Sequence, residues 1–191
     1  MPDPKPEVLA FLKTRRSTPA KALRAPVPNR EELEALLEIA ARSPDHKKLE
    51  PWRFVVLSET ALRRLAPMAK SRYEALDLPE EKSEKTCSQF FDGNLAVAVV
   101  SSPVERDDVP EVEQTLSAGA VCLALLNGAL AAGWGANWLS GPMAFDRVFL
   151  AEGLGLGPNE FVAGFIHIGT TPAPTPERPR PDVAALTNWL D

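Results

Sequence analysis

Between Arg30 and Arg42 the apolar residues Leu33, Leu36, Leu37, Ala40 and Ala41 recur at i, i+3, i+4, i+7 and i+8, the spacing of one face of a helix. Asn29 precedes the run and Glu32 follows three residues later, so the helix also has the start signal of a capping box. A shorter helical pattern runs from Pro6 to about Arg16, with Val8, Leu9, Phe11 and Leu12 in one sector and Glu7, Lys13 and Thr14 opposite. Arg15 and Arg16 project into the apolar sector of that pattern. Arg53 to Leu57 predicts a short buried strand, and Glu59 to Leu76 a helix that Pro67 should kink or split. Pro79 to Phe91 predicts a polar helix or excursion, either a lid over a site or a solvated surface helix.

The second half repeats the alternation. Leu95 to Val100 is a continuous apolar, β-branched run and predicts a central strand. A long helix is expected from about Glu111 to Ala132, then a strand at Gly135 to Leu139, a helix at Phe145 to Glu152 and a strand at Phe161 to Gly169. Helices and strands in this order predict a layered domain with a sheet between helices, and leave open which strands are parallel. Pro172 to Pro181 holds five prolines in ten residues, so the chain should run extended there before an apolar tip from Asp182 to Leu190 that is expected to dock. The 191 residues read as a single domain with a C-terminal arm at about 171–191.

Composition narrows the function classes. With 45% hydrophobic and 25% charged residues the chain can bury a core around a cofactor-sized cavity. A net charge of −5, with no basic run interleaved with aromatics, argues against nucleic acid as a partner. Cys87 and Cys122 stand apart, and two histidines are too few to complete a zinc site with them, so no metal is expected and both thiols read as reduced. The first seven residues carry no apolar core of the secretory type, which points to the cytoplasm. Leu116 to Ala136 lacks charge and is long enough to span a bilayer, but its Ala, Gly, Ser and Asn content favours a buried central helix.

Several groups could carry chemistry. Arg15, Arg16 and Ser17 fit either a dipole-complementing helix end or a phosphate site, since guanidinium forks and a hydroxyl match phosphate oxygens. The loop Ser43 to Pro51 holds Asp45, His46 and Lys47 between Pro44 and Pro51. Neighbouring Asp45 and His46 are poorly placed to orient one another as a triad with Ser140, and no G-x-S-x-G elbow exists. The glycines at 133–135 and 153–157 each follow a predicted helix and read as C-caps, not as a dinucleotide fingerprint. His167 lies mid-strand and is expected to be a hydrogen-bonded structural histidine. Trp138 to Gly141 ends a strand, as either a packed indole and turn or a ligand edge.

As a set, Arg15-Arg16-Ser17, Ala41 to Lys47 before Pro51-Trp52-Arg53-Phe54, Ser117-Ala118-Gly119, Trp138-Leu139-Ser140-Gly141 and Gly164 to Thr170 resemble the nitroreductase family, and within it the compact YdjA-type branch. The resemblance runs from about Val8 to Leu186 with similar spacing. It implies an α+β fold, a three-layer α-β-α sandwich whose central, mostly antiparallel sheet lies between helices. It further implies a homodimer that holds FMN at the subunit interface and takes electrons from NADH or NADPH. By position, Arg15, Arg16 and Ser17 match FMN phosphate and ribityl contacts, Arg42 and His46 further FMN contacts, and Trp138, Leu139 and Ser140 a segment touching FMN from the other side. Gly128, Ala129, Leu130, Ala131, Ala132 and Gly133 match a stretch assigned to the nicotinamide cofactor, and Arg180 a basic phosphate contact in the C-terminal arm. Leu139 departs from the resemblance, because that position is often basic in relatives. The implied activity is an FMN-dependent NAD(P)H oxidoreductase acting on nitroaromatics, quinones or similar flat acceptors. The alternative is a non-catalytic FMN-binding dimer, a carrier or sensor.

Overall fold

The computed structural model describes residues 3–77 and 87–190. In chain order the regular elements are α1 (Pro6–Thr14), α2 (Arg30–Ala40), β1 (Trp52–Ser58), α3 (Glu59–Ala75), β2 (Leu95–Ser101), α4 (Glu111–Ala131), β3 (Gly135–Leu139) and β4 (Phe161–Gly169). A π-helical turn at Phe149–Gly153 stands where the pattern predicts the helix before β4. The excursion predicted at Pro79 to Phe91 lies outside the described residues except for a helical turn at 87–91.

The four strands form one sheet in the order β1-β2-β4-β3, and every neighbouring pair is antiparallel. The question of strand direction is thereby answered, and the fold is α+β. β2 is buried along its whole length because both of its faces are covered. Ala96, Ala98 and Val100 meet Leu62, Leu65, Ala66, Ala69 and Tyr73 of α3 on one side, while Val97 and Val99 meet Leu33, Leu36 and Ala40 of α2 and Val121, Cys122 and Leu125 of α4 on the other. Helix, sheet and helix thus make the three layers. Burial pushes the Cys122 thiol up to about 12, which leaves it a packing group.

Local signals are realised in detail. The Asn29 side chain accepts from Glu32 N at 3.0 Å and Glu32 accepts from Asn29 N at 2.8 Å, closing the capping box. Gly133 follows the Ala132 cap with φ 88°, a left-handed conformation that glycine adopts without strain.

Two expectations are corrected. Pro67 does not split α3, because buried side chains on both sides of it, from Leu62 to Tyr73, hold the two halves on one core. Helix α1 ends at Thr14 and buries none of its residues: Val8, Leu9 and Leu12 are half-exposed, and Arg15 and Arg16 leave the helix instead of projecting into its sector. The apolar tip of the arm, expected to dock, is exposed on its own chain at Val183, Leu186, Trp189 and Leu190.

Helix α4 is long and apolar enough to cross a membrane by length and composition, yet Val121, Cys122, Leu125 and Ala129 are fully buried against the sheet. It is a core helix with one uncovered flank, formed by Val112, Leu116 and Leu123.

Candidate functional site

The backbone turns extended at Arg15 (φ −55°, ψ 140°), and the residues that follow are tied to the sheet edge. Thr18 N donates to Ala136 O at 3.0 Å, and the Asn137 side chain donates to Thr18 O at 2.8 Å. The Thr18 hydroxyl lies 3.0 Å from that of Thr171 and 3.3 Å from that of Thr175, which draws the proline-rich arm across the same place. These contacts bring Arg15, Arg16, Ser17, Trp138, Ser140 and Arg180 around one cleft of about 700 Å³, together with Arg178, Leu123 and Leu126. Six of the expected site residues, far apart in the chain, therefore share a surface.

The charge in this cleft is unbalanced. Arg15 donates to Ser17 Oγ at 2.9 Å, and Glu177 meets Arg16 at 3.7 Å and Arg180 at 2.9 Å. The Nε atoms of Arg15 and Arg16 are buried without a partner among the described residues. Burial first, then repulsion from Arg180, Arg16 and Arg178, lowers the pKa of the Arg15 guanidinium below its ordinary value. An arginine stays protonated under such stress, so the cluster is stabilised by an anion with several oxygens, and a phosphate monoester matches it.

Strand β3 forms the floor, and its alternation separates two ligand-facing sides. On the α4 side the Trp138 indole donates to Ala163 O at 3.3 Å. Gly164 makes room for it: a Cβ there would lie 2.1 Å from the indole nitrogen. On the other side Asn137 and Leu139, paired with His167 and Phe165, help line a second pocket of about 300 Å³ with Pro19, Ala20, Gly93 and His167. Asn137 lines both cavities, so a cationic cleft and a more apolar pocket meet at one strand edge. His167 is 2% exposed, lies 3.4 Å from Gln89 Oε1 and is pushed down to about 4 by burial, so its imidazole is neutral. It is the buried structural histidine expected, and also part of a pocket wall.

The remaining expected residues lie elsewhere in the chain. Arg42 precedes, and His46 lies within, a largely exposed loop whose shape is set by several ties. Asp45 accepts from Glu50 N at 2.8 Å, while Ser117 Oγ donates to Pro44 O at 2.9 Å and accepts from the Trp52 indole at 3.1 Å. Lys47, Lys48 and Glu50 all have positive φ, a left-handed backbone that non-glycine residues seldom adopt and that clusters at functional loops. His46 Nδ1 lies 2.7 Å from Glu113 near the start of α4, and Lys47 pairs with Asp108, whose carboxyl is held well below the usual range by Arg106 and Lys47. From Glu113 to Leu123 at the cleft is about 15 Å along the helix. Arg42 and His46 are not among the residues around that cleft. Gly128 to Gly133 close α4 outside it too: Gly128 and Ala129 are buried, with Gly128 close to Ile39, while Ala131, Ala132 and Gly133 are exposed.

A further cleft of about 670 Å³ shares Phe145 with the first, but Arg147 there is spent on Glu160 O and Gly157 O, and Arg106 on Asp108. Its cations are neutralised or hydrogen-bonded, unlike those beside Ser17. Sequence reasoning missed Arg178, Glu177, Asn137 and the Pro19-Ala20 wall. The first two had a signal in the Glu177-Arg178-Pro179-Arg180 run; the others depend on which segments β3 touches.

Comparison with known proteins identifies relatives of this chain. YdjA of Escherichia coli (strain K12), which carries an NAD(P)H nitroreductase name, is 31% identical over 164 residues, covering 86% of this chain and 88% of its own. A Haemophilus influenzae protein with a name of the same kind is 35% identical over 165 residues, with the same coverage of 86% and 88%. The solved structure of a nitroreductase with bound FMN from Bacteroides fragilis superposes with a TM-score of 0.76 at 20% identity, covering 97% of this chain and 99% of that one. The nitroreductase family model matches residues 12–170, a span that takes in Arg15 to Ser17, the loop with His46, α4, β3 and β4, and the chain belongs to the nitroreductase family.

Proposed function

We propose that the chain is a cytoplasmic, FMN-dependent NAD(P)H oxidoreductase that reduces nitroaromatics, quinones or similar flat acceptors by a ping-pong cycle. The observation that carries this reading is a cluster of four arginines, two of which, Arg15 and Arg16, have buried Nε atoms without a partner among the described residues, joined at β3 to a more apolar pocket. FMN has the same division, a phosphate at one end and a flat ring at the other. The names of the matched relatives and the FMN in the Bacteroides fragilis structure support the same choice.

In this reading Arg15, Ser17, Arg178 and Arg180 hold the phosphate, and Arg16 adds charge beside them. Trp138 and Ser140 flank the path to the ring pocket, and Leu139, Pro19 and Ala20 exclude water from it. Bound FMN supplies the hydride chemistry; the protein supplies binding, orientation and access. His167, neutral at pH 7, keeps a fixed charge out of the pocket wall. No acid-base pair is required of the chain.

The second copy of a homodimer would cover the apolar faces of α1 and of α4, at Val8, Leu9, Leu12, Val112, Leu116 and Leu123. Its rigid loop would bring Arg42 and His46 to the cleft of the first copy. The exposed Ala131 to Gly133 remain available to the nicotinamide donor.

The test is a visible absorption spectrum of the purified protein, before and after reconstitution with FMN, followed by steady-state NAD(P)H oxidation with an added quinone. Flavin near one equivalent per chain and sustained turnover are expected. A colourless protein that cannot be reconstituted overturns the reading, and flavin binding with no turnover beyond one equivalent replaces it with a carrier.

A further inference from the structure

We infer that Glu177 is a built-in competitor for the anion that the arginine cradle holds: in this structure its carboxylate bridges Arg16 and Arg180, and a bound phosphate takes its place. Glu177 Oε1 lies 2.9 Å from Arg180 Nη2 and 3.7 Å from Arg16 Nη1, and it accepts from Arg178 N at 2.8 Å; Oε2 lies 3.2 Å from Arg180 Nη2. Every one of these partners belongs to the cradle. Glu177 does what a ligand oxygen would do there, from within the chain.

It does so incompletely. A carboxylate brings one charge and two oxygens, while a phosphate monoester brings about −1.5 to −2 and three terminal oxygens. With Glu177 in place the Nε atoms of Arg15 and Arg16 still lack partners among the described residues, so the exchange of carboxylate for phosphate is favourable. It is also sterically easy. Glu177 is 61% exposed and rides on an arm without regular secondary structure, tethered upstream through Thr171 and Thr175 to Thr18.

The consequence is selectivity. A ligand must outbid a resident carboxylate, so a doubly charged phosphate succeeds where a neutral or singly charged analogue gains little. Because Glu177 is held below its ordinary pKa by Arg178 N and Arg180, it remains a competitor throughout the neutral range. Phosphate gains its second charge near pH 6, so the exchange favours the ligand more strongly above about that pH. The arm is thereby coupled to occupancy, since Glu177 lets go of Arg16 when phosphate arrives.

This inference rests on the phosphate reading of the cleft given above. Its test compares the full-length, flavin-stripped protein with its Glu177→Gln variant in titrations with FMN, riboflavin and inorganic phosphate. The substitution keeps size and hydrogen-bonding shape and removes the charge. FMN and inorganic phosphate should each bind about three- to tenfold more tightly to the variant, the range expected for losing an exposed carboxylate on two guanidiniums. Riboflavin, which lacks the phosphate, should bind both proteins equally. Unchanged FMN and phosphate affinities overturn the inference while leaving the flavin reading intact, and an equal gain for riboflavin overturns it by showing that arm release alone is responsible. Tighter phosphate binding by the variant, in a protein that takes no FMN, supports the inference and sinks the flavin reading. Failure of both proteins to bind either anion overturns both.

Discussion

Arg15→Ala removes a guanidinium that touches Ser17 and is repelled by Arg180, Arg16 and Arg178. The geometry gives the change opposite effects on binding and on stability. A hydrogen bond to a charged partner contributes about 1.5–3 kcal/mol, so loss of the Arg15 contact to phosphate should raise the Kd for FMN about 10- to 150-fold. Riboflavin, lacking phosphate, should lose less than about threefold. In the flavin-free protein the same substitution relieves repulsion and removes a desolvated charge, at the cost of one hydrogen bond to a hydroxyl. Its Tm should hold or rise by about 1–3 °C for a chain of this size. Fluorescence titration with both flavins and a thermal melt of the stripped protein measure the two arms. Equal losses for FMN and riboflavin would refute the reasoning. So would a lowered Tm with FMN affinity unchanged, because Arg15 would then be a structural residue.

Gly164→Ala places a methyl 2.1 Å from the Trp138 indole nitrogen, and the displaced ring should cost about 1–3 kcal/mol in a thermal melt and alter tryptophan fluorescence; a silent change in both would show that β3 yields freely. Glu160, bonded by Arg53 at 2.7 and 2.8 Å, has its carboxyl held down to about 2, first by that hydrogen bond. The folded value lies below the unfolded one, so the stabilisation is full above about pH 5 and is lost as the pH falls through about 2. Glu160→Gln should therefore cost about 1–2 kcal/mol at pH 7 in urea denaturation, after discounting for the exposed Arg53, with the gap to the parent closing in acid; a gap independent of pH would contradict this. Ser117→Ala strips the Pro44 carbonyl and the Trp52 indole of their shared partner, and hydrogen exchange should quicken across residues 43–50 with weaker FMN retention. Leu116→Glu, on the uncovered flank of α4, should shift the protein from dimer to monomer in sedimentation and release flavin with it; a monomeric parent that retains FMN would defeat the proposed assembly.

The parts of this fold that were legible in the sequence are those set by neighbours along the chain. The capping box at Asn29, the bounds of β3 and β4, and the long helix ahead of β3 follow from periodicity and local hydrogen bonding, and they stand almost as the pattern predicts. Strand direction was not legible in the hydrophobic pattern, because an apolar run such as Leu95 to Val100 reads the same whether its neighbours run parallel or antiparallel; the family resemblance implied the antiparallel sheet that the strands form. Pro67 misled for a related reason: its local penalty is real, but tertiary burial on both sides outweighs it. At the candidate site, the family resemblance singled out Arg15 to Ser17, Trp138, Ser140 and Arg180, which line one cleft, while Arg178 and Glu177 were passed over although they adjoin Arg180. The contacts that assemble the cleft, Thr18 to Ala136 and Thr18 to Thr171 and Thr175, span more than a hundred residues and have no local signature.

Helix α4 shows why a sequence read as one chain overstates burial. Its residues are apolar on nearly every side, a pattern that predicts a helix enclosed by protein. The sheet and α2 enclose only part of it, and Val112, Leu116 and Leu123 remain outside. Leu123 belongs at once to this bare flank and to the wall of the arginine cleft, so whatever covers the flank also borders that cleft. Near the other end of the same helix Glu113 fixes His46 in a loop that the cleft of its own chain does not include. One helix therefore carries two parts of the expected site about 15 Å apart. In the proposed dimer, antiparallel packing of α4 against its copy would set the loop of one chain beside the cleft of the other. A bare apolar flank and a divided site are then two consequences of one arrangement.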